Sequence, residues 1–205
     1  MITIKGLSKR FGRVRALEGI DLVIQDAEVL LVAGPNGSGK TTLLRTIAGL
    51  ATPSSGTVEI DGAKPRRARG RIGYLGHSPL IYPQLTVREN LEFFARVYGV
   101  SREAVEEWLD IIELRYRAEA PAFSLSRGEM QRAAIARALI HSPSIVLADE
   151  PFNALDAGAA ETLPGLLNRA GSTVVLAMHD IHRGFTLVDR VITLSQGRMT
   201  SEEKV

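Results

Sequence analysis

The sequence predicts an α/β protein with a mostly parallel central sheet and a helical segment inserted into the chain. Residues 29–33, 145–148 and 173–178 are continuous apolar runs of strand length, which is typical of strands covered on both faces. From about residue 78 to about residue 125 the apolar residues recur at helical spacing instead. The change of period places the helical segment between strands of the α/β core.

Further strands are predicted before and after that segment. Residues 2–5, 20–24 and 57–60 alternate apolar and polar side chains, as half-buried antiparallel strands do. Residues 72–75 predict one more short strand, and residues 191–194 predict the last strand of the chain.

Helix-start signals mark the inserted segment. Thr86 and Glu89 form a predicted capping box, in which each side chain bonds the backbone N–H of the other residue. The helix that follows ends at Gly99, and Ser101 begins a second helix. Residues 127–140 predict a third.

Composition fits a single folded domain. The chain has 205 residues, of which 45% are hydrophobic, and this supplies a substantial core. We expect one domain over residues 1–205, with the sheets in about 1–77 and 141–205 and a helical lobe in about 78–140. Cysteine is absent, which excludes disulfides and cysteine metal sites. The apolar runs are far shorter than the about 20 residues of a membrane span, so other chains are expected to form any membrane path.

Charge says little about partners, because the formal net charge is only +2. The basic cluster at residues 66–71 is predicted to be a solvated hairpin loop, with contact to anionic lipid or nucleic acid as the alternative. No stacking aromatic residues interleave the cluster, so no nucleic-acid partner is expected. His141 follows the third predicted helix, where a partial positive charge is favourable.

A glycine-rich segment connects the apolar run 29–33 to a predicted helix. It matches the phosphate-binding P-loop pattern, because Lys40 and Thr41 follow its last glycine in the required order, which an ordinary glycine-rich turn does not explain. We expect its backbone N–H groups to bind phosphate, Lys40 to reach the β- and γ-phosphates, and the Thr41 hydroxyl to bind Mg²⁺. The predicted nucleotide-binding residues are Gly34, Pro35, Asn36, Gly37, Ser38, Gly39, Lys40, Thr41 and Thr42.

Two carboxylates, Asp149 and Glu150, end the apolar run 145–148. Strand alternation directs neighbouring side chains differently, so the two carboxylates are suited to different roles. Asp149 is the predicted Mg²⁺ ligand, and Glu150 is the predicted general base that polarises the attacking water. Acidic residues often end strands, but a preceding P-loop makes this pair specific.

Residues 125–129 read Leu-Ser-Arg-Gly-Glu at the start of the third predicted helix, between the P-loop and the two carboxylates. This segment resembles the Leu-Ser-Gly-Gly-Gln signature of the ABC ATPase family and departs from it at Arg127 and Glu129. The resemblance implies that Ser126, Gly128 and Glu129 contact ATP through another helix start.

The resemblance extends over essentially the whole chain. It implies an ABC-type P-loop ATPase core, an antiparallel β lobe and an inserted α-helical lobe. The implied cofactors are ATP and Mg²⁺, with no covalent cofactor. The implied assembly is a homodimer with composite ATP sites, in which the P-loop of one copy and the signature segment of the other enclose each nucleotide.

Other residues are similar to known parts of that family. Phe11 resembles the aromatic residue that stacks on adenine, with a core aromatic as the alternative. Residues 153–156 resemble the D-loop, which crosses to the partner copy. His179 resembles the switch histidine that contacts the γ-phosphate, so the resemblance assigns catalysis to Glu150, His179 and Lys40.

His77 occupies the position where the family usually has the glutamine of the Q-loop, which senses Mg²⁺ and the attacking water. A neutral imidazole can accept a hydrogen bond from a metal-bound water, so we count His77 among the nucleotide and metal residues. The alternative is that His77 turns away from the site.

The resemblance implies an ATP-hydrolysing subunit of an ABC membrane transporter, peripheral on the cytoplasmic face of the cell membrane beside integral membrane subunits. A soluble ABC ATPase usually carries two nucleotide domains or a long coiled coil, and a P-loop kinase or GTPase would lack residues 125–129. The short chain and His77 together resemble the ATP-binding subunit of the haem exporter of cytochrome c-type biogenesis. Drug and lipid exporters share residues 85–91 and remain the alternative.

Overall fold

The structure is a computed structural model that describes residues 1–179 and 188–205. It confirms the α/β class. The strands are β1 (Ile2–Phe11), β2 (Val14–Ile24), β3 (Val29–Ala33), β4 (Ser55–Ile60), β5 (Ile72–Leu75), β6 (Ile145–Asp149), β7 (Thr173–Met178), β8 (Arg190–Ser195) and β9 (Arg198–Lys204). The helices are α1 (Lys40–Ile47), α2 (Val87–Tyr98), α3 (Arg102–Ile111), α4 (Arg127–Leu139) and α5 (Ala157–Leu167).

The larger sheet has the strand order β5-β6-β7-β3-β8-β9, and its first five strands run parallel. The three continuous apolar runs form β3, β6 and β7, and these strands lie side by side in the middle of this sheet. Every residue of these three strands is buried. Their apolar composition follows from this placement, since both faces of a central parallel strand are covered.

Side chains of β3 alternate between two apolar clusters. Leu30 and Val32 pack in a cluster with α1 and the antiparallel sheet β2-β1-β4, so α1 lies between the two sheets. Val29 and Leu31 pack on the other face, in a cluster that includes residues of α2, α3, α4 and α5. The strands predicted from alternation, β1, β2 and β4, form the antiparallel sheet as expected.

The predicted helix starts in the inserted segment are confirmed. The Thr86 hydroxyl accepts the Glu89 N–H at 3.1 Å, and the Glu89 carboxylate accepts the Thr86 N–H at 2.8 Å. Gly99 ends α2 with a left-handed φ of 68°, which glycine adopts without strain. Ser101 is the N-cap residue of α3.

Two elements differ from the sequence-based expectation. Residues 191–194 are not the last strand, because β9 follows and pairs with β8. Strand β9 is polar and mostly exposed, so it lacks the apolar pattern that identifies a strand. Helix α5 was also missed, since Pro164 and two glycines weaken its helical signal; Asp156 caps it, and it buries Leu163 and Leu167.

The end of α4 also corrects one expectation. His141 is half-buried and stacks on Tyr98 with ring centroids 3.8 Å apart. Burial lowers the pKa of His141, although its bond to the Ile72 carbonyl opposes the shift. The positive charge of Arg137 lowers the pKa of His141 as well, so a partial positive charge on His141 is disfavoured here. None of the described helices has the length and apolar character needed to cross a bilayer.

Candidate functional site

A cavity of about 370 Å³ lies beyond the carboxyl ends of four parallel strands. The P-loop follows β3, Asp149 ends β6, His179 follows β7, and His77 lies two residues beyond β5. Such a strand edge is the usual binding site in open α/β sheets. The cavity is lined by Val14, Arg15, Ala16, Asn36, Gly37, Ser38, Gly39, Lys40, Thr41, Thr42, His77, Asp149, Glu150, Asn153 and His179.

The P-loop backbone explains two of its glycines. Gly34 has a φ of 141°, and a Cβ there would lie 2.2 Å from the Leu194 carbonyl oxygen. Gly39 has a φ of 110°, and a Cβ there would lie 2.5 Å from the Ala16 carbonyl oxygen. Both positions therefore need glycine for conformation and for space, and the loop curls tightly into the start of α1.

Lys40 is only 6% exposed and its ammonium lies inside this curl. Its Nζ donates to the carbonyl oxygens of Gly34 and Pro35, at 2.6 and 3.1 Å. Among the described residues Lys40 makes no ion pair, and its ammonium is held by two neutral carbonyls, so the loop presents a positive charge that favours an anion.

Asp149 and Thr41 form the candidate cation site. Burial raises the pKa of Asp149, the Thr41 hydrogen bond lowers it, and the neighbouring Glu150 charge raises it further. Asp149 Oδ2 is buried without a hydrogen-bond partner among the described residues. A carboxylate oxygen beside a hydroxyl oxygen matches the ligands that Mg²⁺ prefers. The described residues offer no group of three or more His, Asp or Glu for a metal, so phosphates and water would complete its shell.

Glu150 and His179 meet at the cavity. The His179 Nδ1 lies 3.2 and 3.3 Å from the two Glu150 carboxylate oxygens. The Glu150 backbone has a φ of 52°, and its N–H donates to the Ala177 carbonyl at 2.9 Å. A non-glycine residue held in the left-handed region is strained, and such strain concentrates at functional sites.

The signature segment borders a second cavity of about 470 Å³, which shares His77, Asp149, Glu150 and Asn153 with the first. Ser126 caps α4 by accepting the Glu129 N–H at 3.2 Å, which leaves its own O–H proton free to donate. A Cβ on Gly128 would lie 3.1 Å from the Ala154 carbonyl oxygen, a tight contact that a larger residue could fit only if Ala154 shifted by a few tenths of an ångström.

Glu129 is engaged inside its own helix start. Its carboxylate accepts the Ser126 N–H at 2.8 Å and the Tyr116 hydroxyl at 2.9 Å. The bond from the Ser126 backbone is the main cause that lowers the pKa of Glu129. The predicted nucleotide contact of Glu129 stays a prediction, and the observed work of its carboxylate is to complete a capping box.

Phe11 does not line the first cavity. Its side chain is 54% exposed, so it is not a core aromatic, and the Lys9 Nζ lies 4.8 Å from its ring centroid. It pairs across the β1–β2 hairpin with Val14, which does line the cavity together with Arg15 and Ala16. The register of the hairpin places Val14, Arg15 and Ala16 at the cavity, and no motif in the sequence identifies these three residues as lining it.

Comparisons with known proteins agree with this arrangement. The family model of the ABC transporter matches residues 17–153. The sulfate/thiosulfate import ATP-binding protein CysA of Caulobacter vibrioides is 39% identical over 97% of this chain, which spans 63% of that relative's length. The lipoprotein-releasing system ATP-binding protein LolD of Bacteroides fragilis is 38% identical over 97% of this chain and 100% of its own length.

The fold has a close match among solved structures. The dimeric structure of MJ0796, a bacterial ABC transporter cassette, superposes with a TM-score of 0.92 and 34% identity, covering 100% of this chain and 98% of that one. The likenesses to CysA, LolD and MJ0796 each cover 97% or more of this chain. The chain belongs to the ABC transporter family, among its ATP-binding subunits.

Proposed function

We propose that this chain binds ATP with Mg²⁺ and hydrolyses it to drive transport through separate membrane subunits. The observation that carries the proposal is the convergence of Lys40, Thr41, Asp149, Glu150 and His179 on one cavity. An anion site, a pair of oxygen ligands for a cation and a strained carboxylate beside a histidine are the parts that phosphoryl transfer requires.

Each side chain has a separate role in this proposal. Lys40 binds the β- and γ-phosphates, and Thr41 and Asp149 hold Mg²⁺, which neutralises phosphate charge when bound. Glu150 accepts a proton from the attacking water. His179 orients the Glu150 carboxylate through Nδ1, and its second ring nitrogen is assigned to the γ-phosphate. His77 is assigned to the metal-bound water.

We further propose a homodimer with composite ATP sites. One chain offers two anion-binding helix starts, the P-loop before α1 and the segment at Ser126 before α4. The Ser126 side chain is exposed and retains a hydroxyl proton to donate. The similar MJ0796 structure is described as dimeric, which supports the same assembly here.

The membrane partners are proposed to contact the region of residues 78–140, acting as a helical lobe. Tyr82, Phe93 and Phe94 form an aromatic cluster there, with Tyr82 and Phe93 centroids 5.1 Å apart. Leu80 and Val97 beside it are also exposed. An exposed apolar surface of this kind supports a protein interface with the membrane subunits, and we propose that the chain binds them at the cytoplasmic face of the cell membrane.

Two candidate cargoes follow from different observations. Haem, for cytochrome c-type biogenesis at the inner membrane, is supported only by His77 at the Q-loop position. The likeness to the lipoprotein-releasing system protein LolD over that relative's full length favours a lipoprotein cargo, and a drug or lipid remains the alternative. The ATPase rate of the reconstituted transporter separates them, because only the true cargo is expected to stimulate it.

Phosphate release from purified protein tests the ATPase proposal. We expect hydrolysis that requires Mg²⁺ and stops when the cation is chelated. Co-purification of the chain with an integral membrane protein tests the transport role. If the chain is purified from native membranes and extracts as an active ATPase and no membrane protein accompanies it, a soluble ABC ATPase is favoured instead.

A further inference from the structure

Arg137 is a buried cation in α4 that the proposed reaction does not use. Its side chain is 7% exposed. Its two terminal nitrogens donate to backbone carbonyls, at 2.8 Å to Tyr74 O and at 3.3 Å to Pro79 O. No ion pair joins Arg137 to a carboxylate in residues 1–179 and 188–205.

This burial is unfavourable for folding. It lowers the pKa of Arg137 to about 10, which reports how strongly its charge is desolvated. The Arg137 Nε has no hydrogen-bond partner within the described residues, and the Phe94 ring centroid is 5.8 Å from the guanidinium carbon. Burying an unpaired charge costs free energy of folding, and hydrogen bonds to two neutral carbonyls offset only part of that cost, so folding alone is a weak reason for an arginine here.

The two carbonyls identify what the guanidinium holds. Tyr74 precedes His77 by three residues and Pro79 follows it by two, so one planar group fixes both sides of the loop that carries His77. A guanidinium is rigid and bonds with fixed geometry, whereas an ammonium is a point charge on a flexible stem. His77 lies between these two anchors and lines both cavities.

Helix α4 is itself fixed next to the other catalytic segment. Gln131 donates to the Pro151 carbonyl at 3.0 Å, immediately after Glu150 in the chain. The same helix therefore holds the backbone beside Glu150 and, through Arg137, the backbone on both sides of His77. The distance between the His77 and Glu150 side chains therefore depends on both contacts that α4 makes, one through Gln131 and one through Arg137.

We propose that Arg137 is a positioning residue, whose guanidinium holds the His77 loop in register with Glu150. This inference rests on the proposed ATPase function. A positioning role differs from a purely structural role in its consequence. Loss of the guanidinium misplaces His77, while the protein stays folded and still binds the nucleotide through the P-loop. A misplacement of about 1 Å near a reacting centre costs roughly 10²-fold in rate.

The substitution Arg137→Met keeps the length of the side chain and removes its donors. We expect a modest fall in melting temperature, because the Tyr74 and Pro79 carbonyls lose their donors. We expect the ATP Kd to change less than about threefold and kcat to fall about 10²-fold. Arg137→Lys should recover part of kcat. The matched control is Arg96→Met, on an exposed part of α2, with unchanged kcat. Loss of melting temperature with kcat unchanged in the folded protein would overturn the proposal.

A double-mutant cycle tests whether Arg137 acts through His77. In the His77→Ala background, Arg137→Met should lower kcat by less than about threefold, because the residue being positioned is already gone. Losses that multiply independently would contradict the proposal.

A measurement without ATP separates this inference from the proposed function. The chain has no cysteine, so Ser78→Cys accepts a single spin label on the exposed loop. Arg137→Met should increase label mobility there, Arg137→Lys should increase it less, and a label at exposed Glu161 on α5 should not respond. If Arg137→Met does not fold, Arg137→Lys carries the same comparison. Unchanged mobility at Ser78 overturns positioning even in an active ATPase, whereas a mobile loop in an inactive protein counts only against the proposed function.

Discussion

The His179 Nδ1 lies 3.2 Å from Glu150 Oε1, although 29 residues separate them in the chain. The two residues follow adjacent parallel strands, β6 and β7, whose register pairs Asp149 with Ala177. The Glu150 N–H also bonds the Ala177 carbonyl. Sheet register and the left-handed backbone of Glu150 therefore place the carboxylate beside the imidazole.

Lys40→Ala is expected to weaken ATP binding at least about tenfold, which corresponds to about 1.4 kcal/mol. The reason is the loss of the buried ammonium beside Gly34 and Pro35. Calorimetric titration with ATP measures the Kd, and Lys64→Ala, at an exposed site, is the control. An unchanged Kd in Lys40→Ala would show that Lys40 does not bind the phosphates of ATP.

Two substitutions test the assignment of His77. His77→Gln keeps a hydrogen-bond acceptor for the metal-bound water and should retain most of kcat, whereas His77→Ala should lose roughly 10²-fold, as much as Arg137→Met. Steady-state phosphate release compares the three proteins. Equal kcat values for both variants and the wild type would mean that His77 is a bystander.

Complementation tests the composite site. A Lys40→Ala copy and a Ser126→Arg copy are each expected to be inactive as homodimers. In the mixed dimer, one of the two sites combines an intact P-loop with an intact Ser126, so activity should return. The mixed dimers must be isolated with two different tags, and a purified mixed dimer without ATPase activity argues against a shared site.

Stability should decrease in acid because of His141. Burial lowers its pKa below the ordinary 6.5, so the unfolded chain binds more protons than the folded state in that range. Folding stability therefore falls as pH decreases from about 6.5 to the folded pKa, and the loss is complete below it. His141→Phe keeps the stacking on Tyr98 and cannot titrate.

Thermal melts at about pH 8 and about pH 5.5 measure this effect on either side of the ordinary value. We expect the melting temperature to fall less in His141→Phe than in the wild type over this interval. All other titrating groups are shared by the two proteins. An equal fall in both would show that protonation of His141 does not limit acid stability.

Local patterns predicted the parts of the fold that local chemistry determines. The central strands β3, β6 and β7 were found from apolar runs, and the start of α2 was found from Thr86 and Glu89. Strand β9 was missed because an edge strand needs no apolar face, so its pairing with β8 depends on the main chain.

The site was predictable where residue order alone defines chemistry. Residues 36–42 of the P-loop line the cavity together with Asp149, Glu150, His77 and His179, whereas Gly34 and Pro35 do not line it. Phe11 does not line the cavity, because the hairpin register, which a sequence pattern does not specify, places Val14 there. The stacking of Phe11 on adenine stays a prediction. The sequence pattern identifies Arg137 only as a residue of α4, because the two carbonyl groups that it bonds lie 63 and 58 residues earlier in the chain.

The turnover of Glu150→Gln tests the central claim most directly. Glutamine keeps the size of the side chain and its hydrogen bonding but cannot accept the proton of the attacking water. We predict that ATP still binds with a Kd near that of the wild type, while kcat falls roughly 10²–10⁴-fold. Hydrolysis by Glu150→Gln at the wild-type rate would contradict the account, because the carboxylate beside His179 would then not be the base.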